Sequence, residues 1–173
     1  PYIRSYFSLD ASSGCSPDAI RVTPTSYIGI DQYRWDFNGD LVTDLTRTNP
    51  TTEPHIYPRN LKTNNSNDVY NIRLTVFNGN ESCNKVFTRS NTVFAEAKAM
   101  FEPDDTLACN ELTFKFRDNS VNPDTYFWDF EDGTTSSEDE PTHTFVNTGP
   151  TTATYNVSLG VTTSNGCTHD TSG

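Results

Sequence analysis

Tyr33-Arg-Trp-Asp-Phe-Asn-Gly-Asp40 and Tyr126-Phe-Trp-Asp-Phe-Glu-Asp-Gly133 decide how this chain is read. In each, an aromatic ring falls at every second position: Tyr33, Trp35 and Phe37, then Tyr126, Trp128 and Phe130. A period of two places the three rings on one face of a β-strand. Trp35 and Trp128 are 93 residues apart, and the repetition continues outward from them. Phe7/Phe101 and Cys15/Cys109 are 94 apart, His55/His143 are 88, Tyr70/Tyr155 are 85 and Cys83/Cys167 are 84. The chain therefore reads as two copies of one unit, 1–92 and 93–173, with the longer loops in the first.

Other segments alternate in the same way. Tyr70, Ile72, Leu74 and Val76 are interleaved with polar residues, as are Tyr155, Val157, Leu159 and Val161, and Leu112, Phe114 and Phe116. Ser-Pro at 16–17, Asn-Gly at 38–39, Asp-Gly at 132–133 and Asn-Gly at 165–166 mark turns. Short strands with such punctuation predict an all-β chain of two tandem β-sandwiches. In so thin a sandwich Trp35, Phe37, Trp128 and Phe130 fill the core, and His55 and His143, repeated in both copies, read as scaffold. Only 94–100 has a helical look, although it aligns with a strand-like segment of the first copy.

Of the 173 residues, 23 are acidic and 12 basic, for a net charge of −11. Residues 1–91 are neutral, and the whole excess lies in 92–173. That balance argues against nucleic acid, which needs clustered Lys and Arg. No apolar run approaches the roughly 18 residues of a membrane span. Each copy has one cysteine near its start and one near its last strand. Four cysteines allow three connectivities, and the repeat favours Cys15–Cys83 with Cys109–Cys167, one staple per module. Such bonds imply an oxidising, extracellular setting. Zinc is disfavoured, because no CxxC and no suitable His pair occurs.

The second copy continues with Pro141-Thr-His-Thr-Phe145, Tyr155-x-Val-x-Leu-x-Val161 and Asn165-Gly-Cys167. With 126–133, this resembles the PKD (polycystic kidney disease) repeat, marked by Trp-Asp-Phe-Gly-Asp-Gly and then Pro-x-His-x-Tyr. The first copy matches less closely, through Tyr33–Asp40, Pro54-His-Ile-Tyr57 and Tyr70–Val76. Glu131 stands where the family has Gly. The resemblance implies an immunoglobulin-like sandwich. The paired cysteines are similar to those of PKD repeats in bacterial surface proteins, gliding-motility adhesins among them.

No constellation favours catalysis. There is no Gly-x-Ser-x-Gly, and Glu138-Asp139-Glu140 is a contiguous solvated run, not a pair of carboxylates set across a cleft. Calcium is the candidate ligand. Asp36, Asn38, Asp40 and Asp44 present oxygens at positions 1, 3, 5 and 9 of a loop, a spacing that can wrap a hard cation. Asp129, Glu131 and Asp132 occupy the equivalent turn. The competing reading is that these residues make Asx-turns. Thr106, in Asp105-Thr106-Leu107, resembles a bacterial O-glycosylation motif, and Asn64, Asn80 and Asn156 begin N-glycosylation sequons.

Ser90-Asn91-Thr92 leads into Val93 without a Gly- or Pro-rich linker, so the pair is expected to be an extended rod segment. The last strand after Cys167 looks truncated, as in a fragment of a longer array. The expected function is structural: spacer or adhesion modules of a cell-surface adhesin, with no required cofactor. Neighbouring repeats, surface polysaccharide or another surface protein would be the partners. The alternative is an accessory module of a secreted hydrolase, which would need an exposed aromatic row; Tyr2, Tyr27 and Phe87 do not form one.

Overall fold

The computed structural model describes residues 6–25, 29–104 and 111–173, with 80–83 and 111 described by their backbone alone. Thr106, Cys109, Tyr2 and Tyr27 lie outside the described residues. The described chain is strand and turn throughout, and it holds no helix long and apolar enough to cross a membrane.

The chain divides into two units: Pro1–Asn60 with Asn67–Phe94, and Leu61–Ser66 with Ala95–Gly173. The second unit thus takes in six residues that the repeat alone assigns to the first copy. Hydrogen bonds hold them there. Asn122 Nδ2 donates to the carbonyls of Lys62 (2.7 Å) and Glu96 (2.9 Å), and the Asn65 N–H donates to Asn122 Oδ1 (2.9 Å).

In the first unit, β1 (Tyr6–Leu9), β3 (Ala19–Thr25) and β6 (Glu53–Ile56) form a sheet in the order β1-β3-β6. The facing sheet has the order β2-β8-β7-β4-β5, from β2 (Ser13–Cys15), β4 (Gln32–Asp36), β5 (Leu45–Arg47), β7 (Asp68–Asn78) and β8 (Asn80–Phe94). The second unit repeats this plan. β9 (Phe101–Pro103), β10 (Glu111–Asp118) and β13 (Thr142–Val146) lie in the order β13-β10-β9. β11 (Thr125–Asp129), β12 (Thr135–Ser136), β14 (Ser158–Thr162) and β15 (Thr168–Ser172) lie in the order β12-β11-β14-β15. Trp35 pairs with Leu74 and Trp128 with Leu159, so the two copies share their central register.

The alternation becomes burial. Ile72, Leu74 and Val76 join Trp35, Phe37 and Tyr57 in one core, and Val157, Leu159 and Val161 join Trp128, Phe130 and Phe145 in the other. The segment with a helical look is extended instead. Asn91, Val93, Ala95, Ala97 and Ala99 are buried while the residues between them are not, a period of two that no helix produces. Alanine is the best helix former, but intrinsic propensity is small per residue and sheet packing overrides it here.

Candidate functional site

The residues that the two copies share are built into one column of rings. In the first unit Phe7 packs edge-on to Trp35 (5.1 Å between centroids), Trp35 stacks with Phe37 and Phe37 with His55 (4.2 Å). His55 meets Tyr57 edge-on, and Tyr57 stacks on Tyr70 (4.3 Å). The second unit repeats the sequence of contacts through Phe101, Trp128, Phe130, His143, Phe145 and Tyr155. Alternating strand positions supply these rings, and offset and edge-on pairing suits their quadrupoles. Two polar tips are satisfied on the backbone: Tyr57 Oη donates to the Phe37 carbonyl (2.9 Å), and Trp128 Nε1 donates to the Glu138 carbonyl (2.9 Å).

The histidines differ in their surroundings. Burial lowers the pKa of His55, and the charge of Asp44 pulls it the other way. His143 Nε2 lies 2.7 Å from Asp132 Oδ2. Partial burial would raise the Asp132 pKa, but hydrogen bonds from Thr134 and His143 outweigh it and hold the carboxyl below its ordinary range.

The carboxylates singled out for calcium do gather in the loops after β4 and β11. Asp36 Oδ1 accepts the N–H groups of Asn38 (3.2 Å) and Gly39 (2.6 Å), and its Oδ2 accepts that of Leu41 (2.9 Å). Asp40 Oδ1 takes the Val42 N–H, Asn38 Oδ1 takes that of Asp40, and Asp44 Oδ2 takes that of Phe37 (2.7 Å). In the second unit Asp129 Oδ1 accepts the Glu131 N–H (2.9 Å), and Asp132 Oδ1 accepts the N–H and hydroxyl of Thr134. The contacts spanning two residues (Asp36–Asn38, Asn38–Asp40, Asp40–Val42, Asp129–Glu131 and Asp132–Thr134) are Asx-turns, while Asp44 reaches back to Phe37. Glu131 adopts φ 62°, the left-handed conformation that the family's glycine would take freely, and its Oε2 accepts the Asn156 N–H. The described residues contain no group of three His, Cys, Asp or Glu placed to hold a metal ion.

Two polar pairs left no signal in the sequence. Arg47 grips Glu53 with two hydrogen bonds, Nε to Oε1 (2.7 Å) and Nη2 to Oε2 (3.1 Å), and Glu53 is only 7% exposed. Asn91 Nδ2 donates to Asp18 Oδ2 at 2.8 Å, both residues being buried. Gly14 lets the backbone close over that pair, since a Cβ there would stand 2.2 Å from Asp18 Oδ1. Each pair joins residues far from any local motif, so spacing could not reveal it.

Cys15 and Cys167 are both disulfide-bonded. The expected partner of Cys15 does not fit. Cys15 lies opposite Phe94 in the parallel β2–β8 ladder, while Cys83 stands eleven residues earlier on the same strand β8. At about 3.3 Å per residue that is roughly 36 Å, against about 7 Å between the Cα atoms of a disulfide. The two cysteines of the first copy therefore stand a strand length apart.

A cleft of ≈ 890 Å³ opens in the second unit, lined by Phe101, Phe114, Phe145 and Tyr155, with Gly173 at its edge. In the first unit the counterparts Phe7, Ile20 and Tyr57 are core residues, with Tyr70 packed against them. Val93 is in the core, Asn60 Nδ2 donates to its carbonyl (3.1 Å), and Arg89 Nε donates to the Phe7 carbonyl (2.7 Å). Phe87, one of the aromatic residues considered for ligand stacking, packs against that core under Lys85.

The sequence profile of the PKD domain family matches residues 96–173. Among solved structures, the fibronectin(III)-like modules of Clostridium thermocellum CbhA align at a TM-score of 0.43 and 9% identity, covering 96% of this chain and 91% of that one. The N-terminal four Ig domains of Dscam1 align at 0.37 and 13% identity, over 98% of this chain and 44% of that one. The FN1–FN3 domains of chicken CNTN1 align at 0.36 and 15%, over 93% and 62%. No curated protein matches the sequence.

Proposed function

We propose, for a chain whose residues 96–173 match the PKD domain family, that it serves as a pair of structural modules in an extracellular protein, repeated along a bacterial cell-surface adhesin used in attachment or gliding. The carrying observation is the ring column. Both units use the same Trp, Phe, His and aromatic positions to build the same core, contact for contact. Residues repeated for packing serve a repeated scaffold, and the disulfide bonds of Cys15 and Cys167 suit an oxidising compartment. The mechanism is mechanical and interfacial. The partners in this reading are neighbouring repeats and, at the adhesive surface, a polysaccharide or another surface protein.

The test is the mass and repeat content of the native polypeptide, by denaturing mass spectrometry with peptide mapping. A very large chain rich in Trp-Asp-Phe peptides supports the adhesin. A modest chain joined to a catalytic domain overturns it in favour of an accessory module of a secreted hydrolase.

A further inference from the structure

We infer that the fold guards this chain against its own chemical ageing: the backbone N–H that follows each Asn-Gly asparagine is held in a hydrogen bond that opposes spontaneous deamidation. The chain contains three Asn-Gly steps, Asn38-Gly39, Asn78-Gly79 and Asn165-Gly166. The glycines take φ of 80°, 59° and 82°, so the turns themselves call for glycine at these places. Glycine is also the residue that leaves a preceding asparagine most open to attack, because it has no Cβ beside its nitrogen. In the reaction the glycine nitrogen loses its proton and attacks the asparagine Cγ. A C–N bond closes a five-membered succinimide, and the side-chain nitrogen leaves as ammonia. Water then opens the ring to aspartate or isoaspartate. Isoaspartate puts an extra methylene into the backbone, which a tight turn does not accommodate.

All three nitrogens are engaged. The Gly39 N–H donates to Asp36 Oδ1 at 2.6 Å. The Gly79 N–H donates to Asp31 Oδ2 at 2.7 Å, and Asp31 is itself fixed by its N–H on the Phe77 carbonyl (3.1 Å). The Gly166 N–H donates to the Thr163 carbonyl at 2.8 Å. A carboxylate acceptor does more than occupy the proton. Deprotonation would set a second negative charge beside the first, so the reactive amide anion is disfavoured. At Asn38 the electrophile is restrained as well. Its Oδ1 accepts the Asp40 N–H (3.0 Å) and its Nδ2 donates to Asp40 Oδ2 (3.1 Å). The two Asn-Ser steps of the chain are engaged likewise: the Ser120 N–H donates to Asp118 Oδ1 (2.9 Å), and the Ser66 N–H donates to Asn64 Oδ1 (3.2 Å). This protection is independent of any adhesive role and suits a protein that must last outside the cell.

Asp31→Ala is the cleanest variant, because Asp31 is exposed and lies outside the core. Asn38, Asn78 and Asn165 fall on separate tryptic peptides, 35–47, 74–85 and 118–173. The full chain and the variant are incubated at mildly alkaline pH, and aspartate and isoaspartate are quantified at each step by peptide mapping. The folded wild-type chain should convert Asn78 about tenfold more slowly than the same chain in denaturant. In Asp31→Ala, Asn78 should convert about tenfold faster than in the folded wild type, while Asn38 keeps its rate. Asn38 lies in the same unit, so its unchanged rate reports that the unit is still folded. An unchanged Asn78 rate in the variant, an equal rise at Asn38, or a wild-type rate equal to that in denaturant overturns the proposal.

Discussion

His143 Nε2 stands 2.7 Å from Asp132 Oδ2, while His55, stacked at the same place in the first unit, is governed by burial. One scaffold position therefore carries a ring paired with a carboxylate in one unit and a partly buried ring in the other. Because the folded state of the first unit holds the His55 proton less tightly than the unfolded chain, the unfolded chain binds the extra proton as pH falls through about 6.5. The first unit should lose stability between pH 7.5 and 5.5, and His55→Gln should flatten that slope. An NMR titration should place the His55 imidazole below the ordinary histidine value; a midpoint at or above it would refute this. Asp132, whose carboxyl is lowered, adds stability above about pH 4 that is lost as pH drops through its folded pKa.

Arg47 and Glu53 form a two-point charged contact in the first unit. The Arg47 hydrogen bond lowers the Glu53 pKa against the opposing effect of burial, with Thr51 assisting. Arg47→Ala leaves a carboxylate in a place that is 7% exposed, and should cost about 2 kcal/mol by chemical denaturation. Glu53→Gln on the Arg47→Ala background should recover part of that loss, since the unpaired charge is gone. A single-variant cost below the error of the measurement would show the pair to be incidental.

Trp35 and Trp128 are each part of a ring column and fully buried. Truncation to alanine should destabilise the unit concerned by about 3–5 kcal/mol. With one tryptophan per unit, fluorescence of the remaining ring reports on the other unit. An exposed, ligand-stacking role would instead leave the melting temperature near wild type.

The loop carboxylates already accept backbone N–H groups at 2.6 to 3.2 Å around Asp36. Excess EDTA should leave the melting temperature of the chain unchanged. A clear drop, reversed by calcium, would establish a calcium-rigidified loop in place of a self-capped one.

Much of this was legible in the residues. Alternation at Tyr33-Trp35-Phe37 and Tyr126-Trp128-Phe130 reported which face of each strand is buried, and the structure buries the two tryptophans and two phenylalanines completely or nearly so. Glu131, standing where the family has Gly, suggested a different turn, yet it takes the positive φ that a glycine would adopt freely. The run 94–100 misled because alanines score as helix formers in isolation, while their burial at every second position comes from the sheets around them.

The partner of Cys15 was not legible, nor was the membership of Leu61–Ser66 in the second unit, nor the Arg47–Glu53 grip. Side-chain alternation is a local property of an extended chain, so strand identity, buried face and duplication can be read along one dimension. Which ends of two strands meet depends on hydrogen-bond register between segments dozens of residues apart, and β8 runs a full strand length between Cys83 and the ladder that holds Cys15. That distance arises only when the sheet is assembled.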